Sequence, residues 1–196
     1  MFSQRDEEKY ILEFFKDKSN GTLLDIGAYH PETFSNSRAL ISKGWEAVLV
    51  EPSPECFENI FHFYENDKMV TVFNVALNTY DGEMMFYDSQ GAVATGKKEH
   101  YDVWKFVQKD FKQIEVPCLT WKTFHDFIFR KKFDFINIDA EGMDWDILQQ
   151  IDLDKTETKL VCVEYSYSLS DIVNYLSKFN FSLLYNNEEN IIVGRE

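Results

Sequence analysis

The sequence is short of cysteine, of positive charge and of long apolar runs, and each shortage removes a class of protein. Its three cysteines, Cys56, Cys118 and Cys162, lie far apart and form no CxxC pair. An odd number of scattered thiols points to free cysteines in a reducing cytoplasm rather than to a disulfide framework. No HExxH and no cluster of cysteine and histidine occurs, so a structural zinc site is not indicated. Lysine and arginine number 20 against 34 aspartates and glutamates, a net charge of −14. Such a surface repels a phosphate backbone and argues against a nucleic acid partner. The basic clusters that do occur, Lys97-Lys98 and Arg130-Lys131-Lys132, read as solvated turns. No apolar run reaches membrane-spanning length, and Arg5 to Lys9 is charged rather than signal-like, so no membrane association is expected. What remains is ample for one core. With 44% hydrophobic and 16% aromatic residues, the 196 residues read as a single domain, 1–196.

The motifs that cradle phosphates are missing too. No G-x-G-x-x-G and no GxxxxGK is present. Yet the pattern in which they would sit is there. Leu23-Leu24-Asp25-Ile26-Gly27-Ala28-Tyr29-His30-Pro31 reads as a short buried strand that ends in a glycine turn. Val48-Leu49-Val50-Glu51-Pro52 is a second apolar run ending in an acid, and Thr33 to Lys43 is long enough for one crossover helix. This is half of a nucleotide-binding sheet. A single glycine suits a nucleoside that carries no phosphate: Gly27 lets the backbone approach a ligand closely. Asp25 can accept hydrogen bonds from a cationic amine, and Glu51 can take both ribose hydroxyls.

Within residues 1–20, Arg5 to Lys18 places Tyr10, Ile11, Phe14 and Phe15 at helical spacing. A packing helix is the preferred reading, a lid the alternative. Pro54 to Tyr64 reads as a helix with proline in its first turn, Met69 to Val75 as a strand, and Glu83 to Tyr87 as an antiparallel or edge strand. The stretch 89–115 is the least regular part, with order resuming at Val116. It reads as an insertion, a lid or acceptor-binding loop. Thr120 suits the N-cap of a helix running to Arg130. Phe133 to Asp139 is a buried strand, Ala140-Glu141-Gly142 a turn into a helix with Trp145, Ile147 and Leu148, and Leu160 to Glu164 a further strand. Leu169 to Phe179 reads as the last helix, followed by a closing hairpin of Phe181 to Tyr185 and Ile191 to Val193. The alternation gives an α/β, doubly wound class. Asp25, Glu51, Asp139 and Glu164 close apolar runs at one expected sheet edge, where ligands of such sheets bind.

Several blocks, in order, carry a resemblance. They are Asp25-Ile26-Gly27-Ala28-Tyr29-His30-Pro31 with Phe34-Ser35-Asn36, Gly44-Trp45, Val50-Glu51-Pro52-Ser53-Pro54 and Asn74-Val75-Ala76-Leu77. Further on come Asp81-Gly82-Glu83, Val116-Pro117 with Thr120, and Ile138-Asp139-Ala140-Glu141-Gly142 with Asp144 and Leu148. The set resembles the FkbM family of S-adenosylmethionine-dependent methyltransferases. The resemblance implies a class I methyltransferase-like, seven-stranded, mostly parallel sheet with an antiparallel last strand. It implies O-methylation of a sugar or other small-molecule or glycan hydroxyl. It also implies an S-adenosylmethionine site drawn from Asp25, Gly27, Ala28, Tyr29, Glu51, Pro52, Ala76, Leu77 and Asp139. Ala76 and Leu77 would lie near the adenine. No acid stands beside them, which leaves backbone groups or Asp88 to recognise that base.

For the chemistry, Asp139, Glu141 and Asp144 follow one another within a turn and could hold one Mg²⁺, or one of them, Asp139 foremost, could take the acceptor's proton. The competing reading is that Glu141 and Asp144 serve a helix N-terminus. His30 is a second candidate base, with capping of the next helix as its plainer role. Pro117-Cys118 invites a cytosine-methyltransferase reading, but it precedes the strand such a loop should follow, and no DPPY-like block occurs. Cys118 therefore reads as a buried small residue. Two other classes stay open: a catalytically silent cofactor-binding or scaffold protein, and a nucleotide-sugar oxidoreductase, against which the missing glycines count.

Overall fold

The computed structural model describes residues 1–108, 110–165 and 168–196. Lys109, inside the expected insertion, lies outside the described residues. The chain runs through α1 (Glu7–Phe14), β1 (Thr22–Ile26), α2 (Arg38–Ile41), β2 (Glu46–Val50), α3 (Pro54–Tyr64) and β3 (Val70–Phe73). Then come β4 (Ala76–Leu77), β5 (Gly82–Asp88), α4 (Lys98–Trp104), β6 (Lys112–Leu119) and α5 (Trp121–Phe127). It closes with β7 (Phe135–Ile138), α6 (Asp144–Leu148), β8 (Leu160–Glu164), α7 (Leu169–Ser177), β9 (Ser182–Asn186) and β10 (Asn190–Gly194).

Seven strands form the main sheet in the order β3-β2-β1-β7-β8-β10-β9. β10 runs antiparallel to both neighbours, and the other pairings are parallel. Parallel strands need crossovers, and the crossovers cover both faces, so the strands read as continuous apolar runs. One face buries Leu24, Ile26, Val48, Ile136, Ile138 and Val163 together with Phe124, Ile147 and Ile172 of α5, α6 and α7. The other buries Leu23, Leu49, Phe135 and Cys162 with Ile11, Leu40 and Ile60 of α1, α2 and α3.

The first helix packs onto the sheet. Ile11 and Phe15 are buried, and the Phe15 ring meets Trp45 edge-on at 4.7 Å. Glu7, with no exposure, accepts from Asn187 Nδ2 (2.5 Å) and Asn190 Nδ2 (3.2 Å), which ties α1 to the closing hairpin.

Three expectations need correction. The crossover expected over Thr33 to Lys43 is helical only in α2 (Arg38–Ile41). Phe34 takes φ 58°, and the polar side chains after it turn inward: Ser37 Oγ donates to Asp25 Oδ2 (2.6 Å) and Asn36 Nδ2 to Asn137 Oδ1 (3.1 Å). Such side-chain bonds compete with helix formation. Order also resumes earlier than Val116. β6 pairs along the whole of β5, from Gly82↔Cys118 to Asp88↔Lys112, in a second sheet ordered β4-β6-β5. Finally, α5 stops at Phe127 because Ile128 is extended, although Thr120 is the N-cap expected, accepting from Thr123 N. Among the described residues no helix is long and apolar enough to cross a membrane.

Candidate functional site

The register of the central strands builds the site. Ile26 pairs with Val50 and Ile138, and Ile138 with Val163. One residue further on, Gly27, Glu51, Asp139 and Glu164 therefore stand side by side at the carboxyl edge of the sheet. Asp25 does not: it lies inside β1, opposite Leu49 and Asn137.

Gly27 sits at φ 82°, and a Cβ there would fall 1.7 Å from the Asp139 carbonyl oxygen. No side chain fits, because β1 and β7 close on each other at this point. Val50 O then accepts from the amides of both Gly27 (2.9 Å) and Ala28 (3.1 Å). The turn continues through Tyr29 at φ 47°, whose amide donates to Glu51 Oε2 (2.9 Å). Ser53 N donates to Glu51 Oε1 (2.7 Å). Each carboxylate oxygen thus keeps lone pairs free while being held by one amide. Glu51 is 5% exposed, and burial pushes its carboxyl up to about 7; the two amides oppose this and the nearby Asp88 and Asp25 add to it. Asn74, whose role sequence reasoning missed, donates to the carbonyls of Glu51 (2.8 Å) and Pro52 (3.1 Å) and fixes the loop beneath them.

A cavity opens over this edge, about 580 Å³ counted out to its mouth with a narrow interior of about 50 Å³. Gly27, Tyr29, Glu51 and Pro52 form one side, and Val75, Ala76, Leu77, Met84 and Phe86 an apolar wall. Asp139, Glu141 and Met143 form the far side, and Gly91, Ala92, Ala94 and Gly96 cover it. The irregular stretch after β5 is therefore part of the site. At Gly96 the approach is too close for a side chain, since a Cβ there would fall 2.2 Å from Met84 Cε.

Most expected cofactor residues line this cavity: Gly27, Tyr29, Glu51, Pro52, Ala76, Leu77 and Asp139. Ala28 and Asp25 do not. Asp25 is buried behind the turn, accepting from Ser37 Oγ (2.6 Å) and Asn137 Nδ2 (2.8 Å). Burial raises its carboxyl and these two donors lower it. Asp88 is turned away as well. Its Oδ1 accepts from Ser53 Oγ (3.0 Å) and Gln90 N (2.8 Å) behind Glu51. His30 is spent on its own turn, where Nδ1 accepts from the amides of Glu32 (3.1 Å) and Thr33 (3.0 Å). Cys118 is wholly buried in the small sheet.

The acids after β7 are rearranged relative to expectation. Asp144, the first residue of α6, accepts from the amides of Ala140 (2.6 Å) and Gly142 (2.9 Å) in the turn that precedes the helix. Oxygens of Asp139, Glu141 and Glu164 lie within 4.8 Å of one another, so Glu164 stands where Asp144 was expected. Burial first, then the charge of Asp139, pushes Glu141 up to about 9 and Glu164 up to about 11. Asp139 is raised well above the carboxylate range by burial and by Asp144. Crowded like charges in a poorly solvated site retain protons. The cluster can therefore hold protons, or a cation, near a ligand.

The family description "Methyltransferase FkbM domain" matches residues 25–183. No curated protein matches the chain. Similar solved structures include the METTL16 methyltransferase domain, 11% identical with a TM-score of 0.53, the match covering 95% of this chain and 64% of that one. Precorrin-6y C5,15-methyltransferase from Geobacter metallireducens is 12% identical with a TM-score of 0.51, covering 100% and 90%. Monomeric WbdD is 10% identical with a TM-score of 0.56, covering 98% and 41%. At these identities the likeness is one of fold.

Proposed function

Because the chain belongs to the FkbM methyltransferase family, we propose that it moves a methyl group from S-adenosylmethionine to a hydroxyl of a sugar or another small-molecule or glycan acceptor. The observation that carries this reading is Glu51, a buried carboxylate aimed into the cavity with one amide on each oxygen. That geometry suits paired ribose hydroxyls. The Gly27 turn beside it supplies a floor without a side chain, and no phosphate-cradling loop is present. The apolar wall of Val75, Leu77, Met84 and Phe86 suits a flat purine. With Asp88 turned away, the base edge is left to backbone groups.

S-adenosylmethionine, when bound, supplies an electrophilic methyl on a sulfonium. The chain's own task is then to align the acceptor and remove its proton, and alignment accounts for much of such a rate. Asp139 and Glu141, which line the same cavity as Glu51, are the candidates to take that proton. A raised carboxyl is the stronger base once ionised, and Glu141, held up to about 9, reaches that form as pH rises toward that value. His30, held in its turn, is a poorer candidate. The strap after β5 continues into Val103, Phe106 and Val107, which are 68%, 77% and 74% exposed, and this side is assigned to the acceptor. The free, buried Cys56, Cys118 and Cys162 support a reducing compartment such as the cytoplasm.

The test is methyl transfer from labelled S-adenosylmethionine to a panel of activated sugars, glycans, small hydroxyl compounds, amines and RNA. Label in hydroxyl compounds is expected; label confined to amines or RNA would overturn the acceptor class. Binding without transfer to any acceptor would favour a silent cofactor-binding protein. Repeating the assay with a chelator decides the cation question. Activity lost on chelation and restored by Mg²⁺ would show that a cation is required and make Asp139, Glu141 and Glu164 its candidate ligands.

A further inference from the structure

The turn that carries Glu141 is held by side chains from the strap. Glu141 takes φ 50° and Gly142 φ 95°, so a non-glycine residue occupies the left-handed region beside the cavity. Such a conformation persists only where its surroundings over-determine it. Two donors converge on the Glu141 carbonyl oxygen, Thr95 Oγ1 at 2.7 Å and His100 Nδ1 at 2.7 Å. Thr95 has no exposure, and its backbone pairs both ways with Tyr87, at 2.8 and 3.1 Å. Trp104 Nε1 donates to the other ring nitrogen of His100 (2.5 Å), which leaves the proton on Nδ1 and makes it the donor; that second nitrogen also lies 3.3 Å from Glu141 Oε2, so His100 touches both the carbonyl and the carboxyl of Glu141. Lys97 adds an ion pair to Asp146 of α6 (2.8 Å). From the protein interior, Asp144 takes the amides of Ala140 and Gly142. The turn is thus gripped on both sides, and the strap supplies the outer grip.

We infer that Thr95 and His100 are positioning residues for the transfer site, holding the Glu141 carbonyl so that the Glu141 carboxyl is presented to the cofactor cavity. Carbonyl and carboxyl belong to one residue, so fixing the first aims the second. The inference rests on the reading that the cavity takes S-adenosylmethionine. It goes further by giving the strap a defined action on the cofactor side of the site. A mere fastening of the strap would need neither bond to act through Glu141.

A double-mutant cycle separates these cases, with calorimetric affinity for S-adenosylmethionine and S-adenosylhomocysteine as the readout. Thr95→Val is isosteric and loses the donor, whereas Thr95→Ser keeps it. His100→Leu, which removes the contact to the Glu141 carboxyl together with the bond to its carbonyl, serves as a second variant should Thr95→Val fail to fold. With Glu141 present, Thr95→Val or His100→Leu is expected to weaken S-adenosylmethionine about tenfold, the scale of one lost hydrogen bond. On a Glu141→Gln background the same changes should cost less than about twofold, because coupled residues are non-additive. Thr95→Ser should match the wild type. Equal losses on both backgrounds, or no loss on either, would overturn the inference while leaving the cofactor reading intact. A wild-type protein that binds neither nucleoside would overturn both.

Discussion

At the scale of single residues, the cavity edge owes its character to carboxyls that folding has made reluctant to ionise. Glu51 is raised to about 7 and Glu141 to about 9 by burial, against an ordinary glutamate at 4.5. A carboxyl raised in the folded state means that this state binds more protons than the unfolded chain from pH 4.5 upward. The contribution is nil below 4.5, where both states are protonated. Stability then falls as pH rises to about 7 for Glu51 and about 9 for Glu141. For Glu51 the loss is on the order of 3 kcal/mol. Thermal unfolding of the free protein should therefore show a Tm falling from about pH 5 to about pH 8, with Glu51→Gln flattening the lower part of the slope. A Tm that rises over this range would show that burial does not govern these groups. Gly27 permits a sharper test. Ala at this position would drive Cβ into the Asp139 carbonyl at an unfavourable φ, so Gly27→Ala should cost about 3 kcal/mol or more in denaturant unfolding. A loss below about 1 kcal/mol would mean that β1 and β7 can separate there. Gly27 and Glu51 were readable from the chain because a strand-end glycine and a strand-end acid each announce a function. Asp25 and His30 were not, since a partner decides their roles. Asn137 and Ser37 claim the first, and the amides of Glu32 and Thr33 the second.

At the scale of elements, periodicity identified the strands that are buried on both faces and the helices that cover them. Leu23 to Ile26, Phe135 to Ile138 and Leu160 to Val163 are largely apolar runs of strand length, too short to span a buried helix. The N-terminal helix was legible through its own helical spacing, and its role can be checked. Ile11→Ala empties a fully buried position and should cost about 2–5 kcal/mol of stability. S-adenosylhomocysteine affinity, measured well below the new Tm, should stay unchanged. A selective loss of affinity at preserved stability would make α1 a lid after all. The crossover before α2 and the strap before β6 resisted reading for a common physical reason. Their order comes from side chains that bond to distant parts of the chain, as Asn36 does to Asn137 and Thr95 to Glu141. Hydrophobic spacing carries no trace of such bonds.

At the scale of the whole molecule, topology brings Gly27, Glu51 and Asp139 together. These residues belong to strands far apart in the chain but adjacent in the sheet order β2-β1-β7. The seven-stranded, mostly parallel sheet and the reversed β10 are those expected of a class I methyltransferase, and the family match supports that independently. The net charge of −14 acts at this scale too. Long-range repulsion should keep RNA and DNA from binding, so fluorescence anisotropy with labelled oligonucleotides at about 0.15 M salt should show no change up to micromolar protein. Saturable binding there would mean that a local basic surface outweighs the total. The central claim, that the hollow at the ends of β1, β2 and β7 is a sulfonium-nucleoside site read by Glu51, is tested most directly by calorimetric titration with S-adenosylhomocysteine. One site per chain is expected, weakened by about 1–3 kcal/mol in Glu51→Ala, the scale of lost hydrogen bonds to a charged group. No binding, or binding indifferent to Glu51→Ala, would contradict it.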